Sequence, residues 1–82
     1  MQSHQLKKGQ IVRSIAGRDK GKFYLIVAWE DDIVWVADGR QKTLSKPKRK
    51  NISHLWCTKD VVLCEDDATV RATLDAFLIS PK

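Results

Sequence analysis

Residues 22–29 read Lys-Phe-Tyr-Leu-Ile-Val-Ala-Trp, and no other stretch limits the fold so strongly. Successive side chains of an extended strand face opposite ways, so Phe23, Leu25, Val27 and Trp29 share one face and Tyr24, Ile26 and Ala28 the other. A strand that is apolar on both faces needs cover on both, which places it near the centre of a closed or layered sheet. Shorter segments of strand character surround it. Residues 10–16 carry Ile11, Val12 and Ile15, and residues 33–37 read Ile-Val-Trp-Val-Ala beyond an acidic turn at Glu30, Asp31 and Asp32.

Asp38 and Gly39 form the strongest hairpin signal, a two-residue type I′ turn that would return the chain through a short polar strand over residues 40–44. Residues 45–51 then break the pattern with Pro47 and a run of positive charge, which reads as an exposed loop. In residues 52–58, Ile52, His54 and Trp56 alternate with Ser53, Leu55 and Cys57, giving a fifth strand. Five short strands joined by tight turns predict a mainly β fold, a small five-stranded barrel over residues 9–58 that leaves little sheet edge exposed. Trp29, Trp35 and Trp56 are expected to fill or cover its core, and Tyr24 is the aromatic expected nearest the surface.

The period changes in residues 59–82. Glu65, Asp66 and Asp67 offer an N-cap and favourable charge for a helix start, Val70, Leu74, Phe77 and Leu78 recur at helical spacing, and Ser80 with Pro81 supplies a stop. An amphipathic helix over about residues 66–79, packed on the barrel, is predicted. Residues 1–8 are polar and are expected to form a flexible N-terminal segment.

Composition bears on function. Eighty-two residues suffice for one small domain, and the net charge of +5 directs attention to anionic partners. The charge is uneven, with 13 Lys/Arg against 5 Asp/Glu in residues 1–59 and 2 against 5 in residues 60–82. Residues 1–8 hold no apolar run that could serve as a signal peptide and no stretch approaches a membrane span, so a cytoplasmic protein without membrane contact is expected; a monomer is expected as well. Cys57 and Cys64 are too few for a disulfide framework and wrongly spaced for structural zinc; His4 and His54 would complete a ligand set, but an extended segment turns His54 and Cys57 to opposite faces. No metal or other cofactor is expected. Ser14 and Ser53 lack an evident base and acid, and the paired acids serve a turn and a helix start, so no enzyme is expected.

Two basic segments are the candidate binding residues. The first is the turn of Gly17, Arg18, Asp19, Lys20, Gly21 and Lys22, in which the glycines permit a sharp reversal and Asp19 is positioned to pair locally with Arg18. The second comprises Arg40, Lys42, Lys46, Lys48, Arg49 and Lys50, a stretch with no acid between Arg40 and Lys59. Such clusters repel themselves unless an anion or salt neutralises them, and nucleic acid supplies a line of phosphates. The forked guanidiniums of Arg18 and Arg49 suit bidentate phosphate contact. Asn51 and His54 fit either a base edge or 2′-hydroxyl, or a structural role as turn cap and internal hydrogen-bond partner.

Residues 9–22 followed by the apolar residues 23–27 resemble the KOW motif, a strand-turn-strand with a glycine in the turn found in ribosomal proteins and transcription elongation factors. Asp38-Gly39, residues 46–51 and the Ile52-Ser53-His54-Leu55 segment are similar to small bacterial KOW-domain RNA-binding proteins. They also resemble archaeal and eukaryotic large-subunit ribosomal proteins in which basic residues precede an Asn-x-x-His-Leu segment. The resemblance spans roughly residues 9–56 and implies an SH3-like barrel and RNA binding, most naturally to ribosomal RNA in translation. The expectation is therefore a ribosome-associated RNA-binding protein contacting phosphates through residues 17–22 and 46–51. The alternative is an interaction module docking on a ribosomal or transcription protein through the barrel or the acidic helix.

Overall fold

The computed structural model describes residues 6–79, with side chains up to Phe77. Five antiparallel strands form one sheet: β1 (Gln10–Ser14), β2 (Phe23–Glu30), β3 (Ile33–Ala37), β4 (Lys48–Asn51) and β5 (Leu55–Val61), followed by helix α1 (Asp67–Ile79). The spatial order β4-β3-β2-β1-β5 puts β2 at the centre, as its two apolar faces require, and leaves β4 and β5 at the ends of the hydrogen-bonded ladder. A single-turn 3₁₀ helix, Ile52–His54, connects those two end strands.

The two faces of the sheet build two apolar layers. Val12, Tyr24, Ile26, Val34, Val36 and Leu55 pack together on the inner face, with Leu6 and Ile52 against them. Their chain neighbours Ile11 and Leu25 turn to the outer face and pack under Val70 and Leu74 of α1, flanked by Phe23, Leu44 and Phe77. The helix thus uses its expected stripe as a second layer. Asp66 caps it, accepting the backbone N–H of Thr69 at 2.8 Å. The expected fraying of residues 1–5, the Leu78 side chain of the stripe and the stop at Ser80 and Pro81 lie outside the described residues. Leu6 packs on the core, and the Lys7 backbone N–H donates to the Gln10 side chain at 3.1 Å.

Several local expectations are corrected. The fourth strand is not residues 40–44 but Lys48–Asn51, part of the basic segment that the sequence pattern reads as an exposed loop. Asp38-Gly39 is not a type I′ hairpin, because only Gly39 has positive φ (78°). The Asp38 carboxylate instead accepts the backbone N–H groups of Arg40 and Lys42 at 2.8 and 3.0 Å, so the chain wraps around this buried side chain and does not reverse into a strand. The tight two-residue hairpin is Asp31-Asp32, where Glu30 pairs with Ile33 and Asp31 has φ 53°. A bulge between Ile26 and Ala28 shifts the alternation of β2 and pairs Trp29 with Val34, yet at this end of the strand Trp29 is 42% exposed. Trp56 is 59% exposed on β5, while Tyr24 is only 2% exposed. Those aromatic assignments are therefore reversed, and Trp35 alone of the three tryptophans is half-buried.

Candidate nucleic-acid interface

The turn at residues 17–22 is closed at its base by the β1–β2 ladder, where the backbone N–H groups of Ser14 and Gly21 donate to Lys22 and Ser14 carbonyls, each at 2.8 Å. Gly17 and Gly21 carry the positive φ values that let six residues reverse, 85° and 95°. This geometry turns the Asp19 side chain inward, away from Arg18, and its carboxylate becomes the centre of the site. Asp19 accepts from Ser14 Oγ and Tyr24 Oη, each at 2.7 Å, from Lys48 Nζ at 2.8 Å and from Lys50 Nζ at 3.0 Å.

The source of the two lysines follows from strand alternation. Lys48 and Lys50 lie opposite Val36 and Val34 of the inner layer, so both ammonium groups enter the mouth of the sheet, while Arg49, opposite Trp35, faces outward. Lys50 is 9% exposed and is satisfied by Asp19 and by Ser14 Oγ at 3.2 Å. Burial alone would raise the Asp19 pKa, but the donors from Lys48, Ser14, Tyr24 and Lys50 outweigh it and hold the carboxyl well below the usual range. Burial and the adjacent Asp19 carboxylate push the Tyr24 phenol up, so this hydroxyl remains a donor.

A second buried carboxylate fixes the other end of the turn. Lys22 Nζ lies 3.1 Å from Asp38, whose side chain is nearly enclosed. Burial opposes ionisation of Asp38, yet the N–H groups of Arg40 and Lys42 and the Lys22 ammonium lower its pKa. Arg40 is occupied with Asp75 of α1 at 2.9 Å, and Arg71 donates to the Gly39 carbonyl at 2.7 Å. Asp67, Arg71 and Asp75 are consequently not a free helix surface, because they tie α1 to residues 39–44, Asp67 by accepting the Leu44 N–H at 2.9 Å.

The candidate residues therefore divide. Arg18, Lys20, Lys46 and Arg49 are exposed, Lys42 is half-buried, and among the described residues none of these five side chains has a carboxylate within 4 Å. Gly17 is exposed and Gly21 half-buried at the rim of the turn. Lys22, Arg40, Lys48 and Lys50 are engaged in ion pairs within the fold. Asn51 caps the 3₁₀ turn by accepting the Ser53 N–H at 2.9 Å, leaving its side-chain amide exposed; His54 is also exposed, and its carbonyl accepts the Ile15 N–H at 2.9 Å. Sequence reasoning missed Asp19 as the organiser, and missed Arg13 and Trp56, which face each other across β1 and β5 on the outer face. The signal for Arg13 was its place two residues after Ile11 in one strand. Among the described residues no group of three or more His, Cys, Asp or Glu side chains is disposed to hold a metal ion, and no helix is long and apolar enough to cross a membrane. No family model matches the chain, and no curated protein matches it.

Proposed function

We propose that this protein is a KOW-type RNA-binding protein, associated with ribosomal RNA, that reads the position of phosphates and not base sequence. The observation that carries the reading is the way Asp19 joins the two basic segments. Residues 17–22 and 46–51 together hold seven Lys/Arg and one carboxylate, a local charge of +6, and that carboxylate bonds directly to Lys48 and Lys50. One acid at the centre neutralises part of the charge and ties the two segments together, so the backbone that carries Arg18, Lys20, Lys46 and Arg49 is in place before an anion binds, and only their side chains remain to be ordered. The resemblance of residues 9–56 to KOW proteins supports RNA as that anion.

Lys48 and Lys50 act as structural cations in this reading, and the contacts belong to the exposed set. The test is fluorescence anisotropy with a ribosomal RNA helix-loop fragment over a series of salt concentrations, using wild type and the triple variant Arg18→Glu/Lys20→Glu/Arg49→Glu. Wild-type affinity should fall steeply with salt, and the variant should lose binding while keeping its unfolding midpoint, because these three side chains are exposed and make no ion pair among the described residues. Salt-independent binding, or a variant that binds like wild type, would overturn the reading. Binding to a ribosomal protein that survives the three substitutions would favour the interaction-module alternative.

A further inference from the structure

Helix α1 covers Ile11 and Leu25 on the outer face and reaches Phe23 in the next row, but leaves Arg13 and Trp56 of that row exposed. In that row Phe23 of β2, Arg13 of β1 and Trp56 of β5 lie directly opposite one another. They line an open groove of about 1040 Å³ whose other wall carries Phe77 of α1 and which reaches Gly21, the last glycine of the basic turn. The Phe23 and Phe77 rings sit 5.6 Å apart, tilted by 46°, and close the inner end. The Arg13 guanidinium lies 6.0 Å from the Phe23 ring centre. Trp56, 59% exposed, lines the same groove from β5, one strand beyond Arg13, whose guanidinium leans over Phe23 on the other side.

The charge around the groove selects its occupant. Arg13 and Lys59 line it against a single acid, Asp60, and it opens beside the turn that bears Arg18 and Lys20. A ligand that suits this place has a flat aromatic part to stack on an indole and an anionic part to meet the cations at its mouth. A nucleotide has both, and base-on-tryptophan stacking tolerates any base because each has a π face. We infer that the groove takes one unpaired base of the bound RNA, stacked on Trp56, while the turn cations hold the adjoining phosphates. This inference rests on the RNA-binding reading and adds a specificity to it: the protein prefers RNA with an extruded nucleotide over a fully paired helix.

The experiment uses a hairpin RNA with one bulged adenosine, the same hairpin with an abasic residue at that position, and the whole protein as wild type, Trp56→Ala and Trp56→Phe. Wild type should bind the bulged adenosine about five- to a hundredfold more tightly than the abasic site, the range that one stacked base provides. Trp56→Ala should remove that preference and leave the salt dependence unchanged, and Trp56→Phe should retain most of it. The abasic comparison needs no variant, so it decides the matter even if Trp56→Ala folds poorly. Equal binding of the two RNAs by wild type, with normal salt dependence, overturns the groove inference and leaves the RNA-binding reading standing. Failure of wild type to bind either RNA at low salt overturns both.

Discussion

Asp19 is a single carboxylate facing two ammonium groups and two hydroxyls, with its side chain only 10% exposed. Removing one partner of a buried pair leaves the other charge desolvated, so Asp19→Ala is expected to cost about 3–5 kcal/mol in chemical denaturation, because Lys50 then has no counter-ion. The sign of the pH effect follows from the depressed carboxyl. Its stabilisation is complete above the pKa of an unfolded aspartate, near 3.8, and is lost as pH falls below that value toward the lower pKa of the folded state. Asp38, depressed likewise, acts in the same window. Stability measured by urea titration should therefore be flat from pH 8 to 5 and decline below about pH 4, and Asp19→Asn should show a shallower decline. An unchanged acid slope in Asp19→Asn would assign the acid sensitivity elsewhere. Asp19 was legible in the sequence only as a member of a basic turn. Its two lysine partners lie 29 and 31 residues away, and sequence spacing alone could not connect them.

At the level of elements, the segment between β3 and β4 depends on how closely helix α1 approaches it. A Cβ on Gly39, whose φ is 78°, would meet the Asp67 carbonyl oxygen at 2.5 Å and the Arg71 nitrogen at 3.0 Å, both of them backbone. Gly21 also has positive φ, but nothing lies within 4 Å of its added Cβ. Gly21→Ala should therefore cost only the backbone strain of about 1–2 kcal/mol. Gly39→Ala should cost at least about 3 kcal/mol, because the helix start must also shift. Equal midpoint losses in the two variants would mean that α1 yields freely at its first turn. The central strands, the acidic hairpin and the helix were legible because each carries an apolar period that burial enforces. Strand β4 was not, since Lys-Arg-Lys-Asn carries no apolar residue and its pairing is set by β3 and by Asp19. The face that Trp29 takes was not legible either, because one extra residue in β2 inverts the alternation and no composition signal marks it.

Across the whole molecule, one sheet divides two apolar layers, the inner one built mainly from strand residues with Leu6 and Ile52 against them and the outer one completed by the helix. Ile11 and Leu25 are buried by Val70 and Leu74, which belong to a segment that is acidic and lies beyond the five strands. The helix is therefore part of the folding unit, held by its apolar face and by three polar links to residues 39–44. A domain of this length has a total stability of only about 4–12 kcal/mol, at the usual increment per residue. Leu74→Ala, which empties a nearly fully buried site, should remove about 2–5 kcal/mol of it while leaving a cooperative transition. Deleting residues 65–82 should go further. Both Ile11 and Leu25 would face water on the central strands, and the shortened chain is expected to bind a hydrophobic dye and melt without a sharp calorimetric transition. A shortened chain that melts cooperatively, with an unfolding enthalpy in proportion to its length, would mean that the strands suffice and that the helix is an appendage to a self-sufficient sheet.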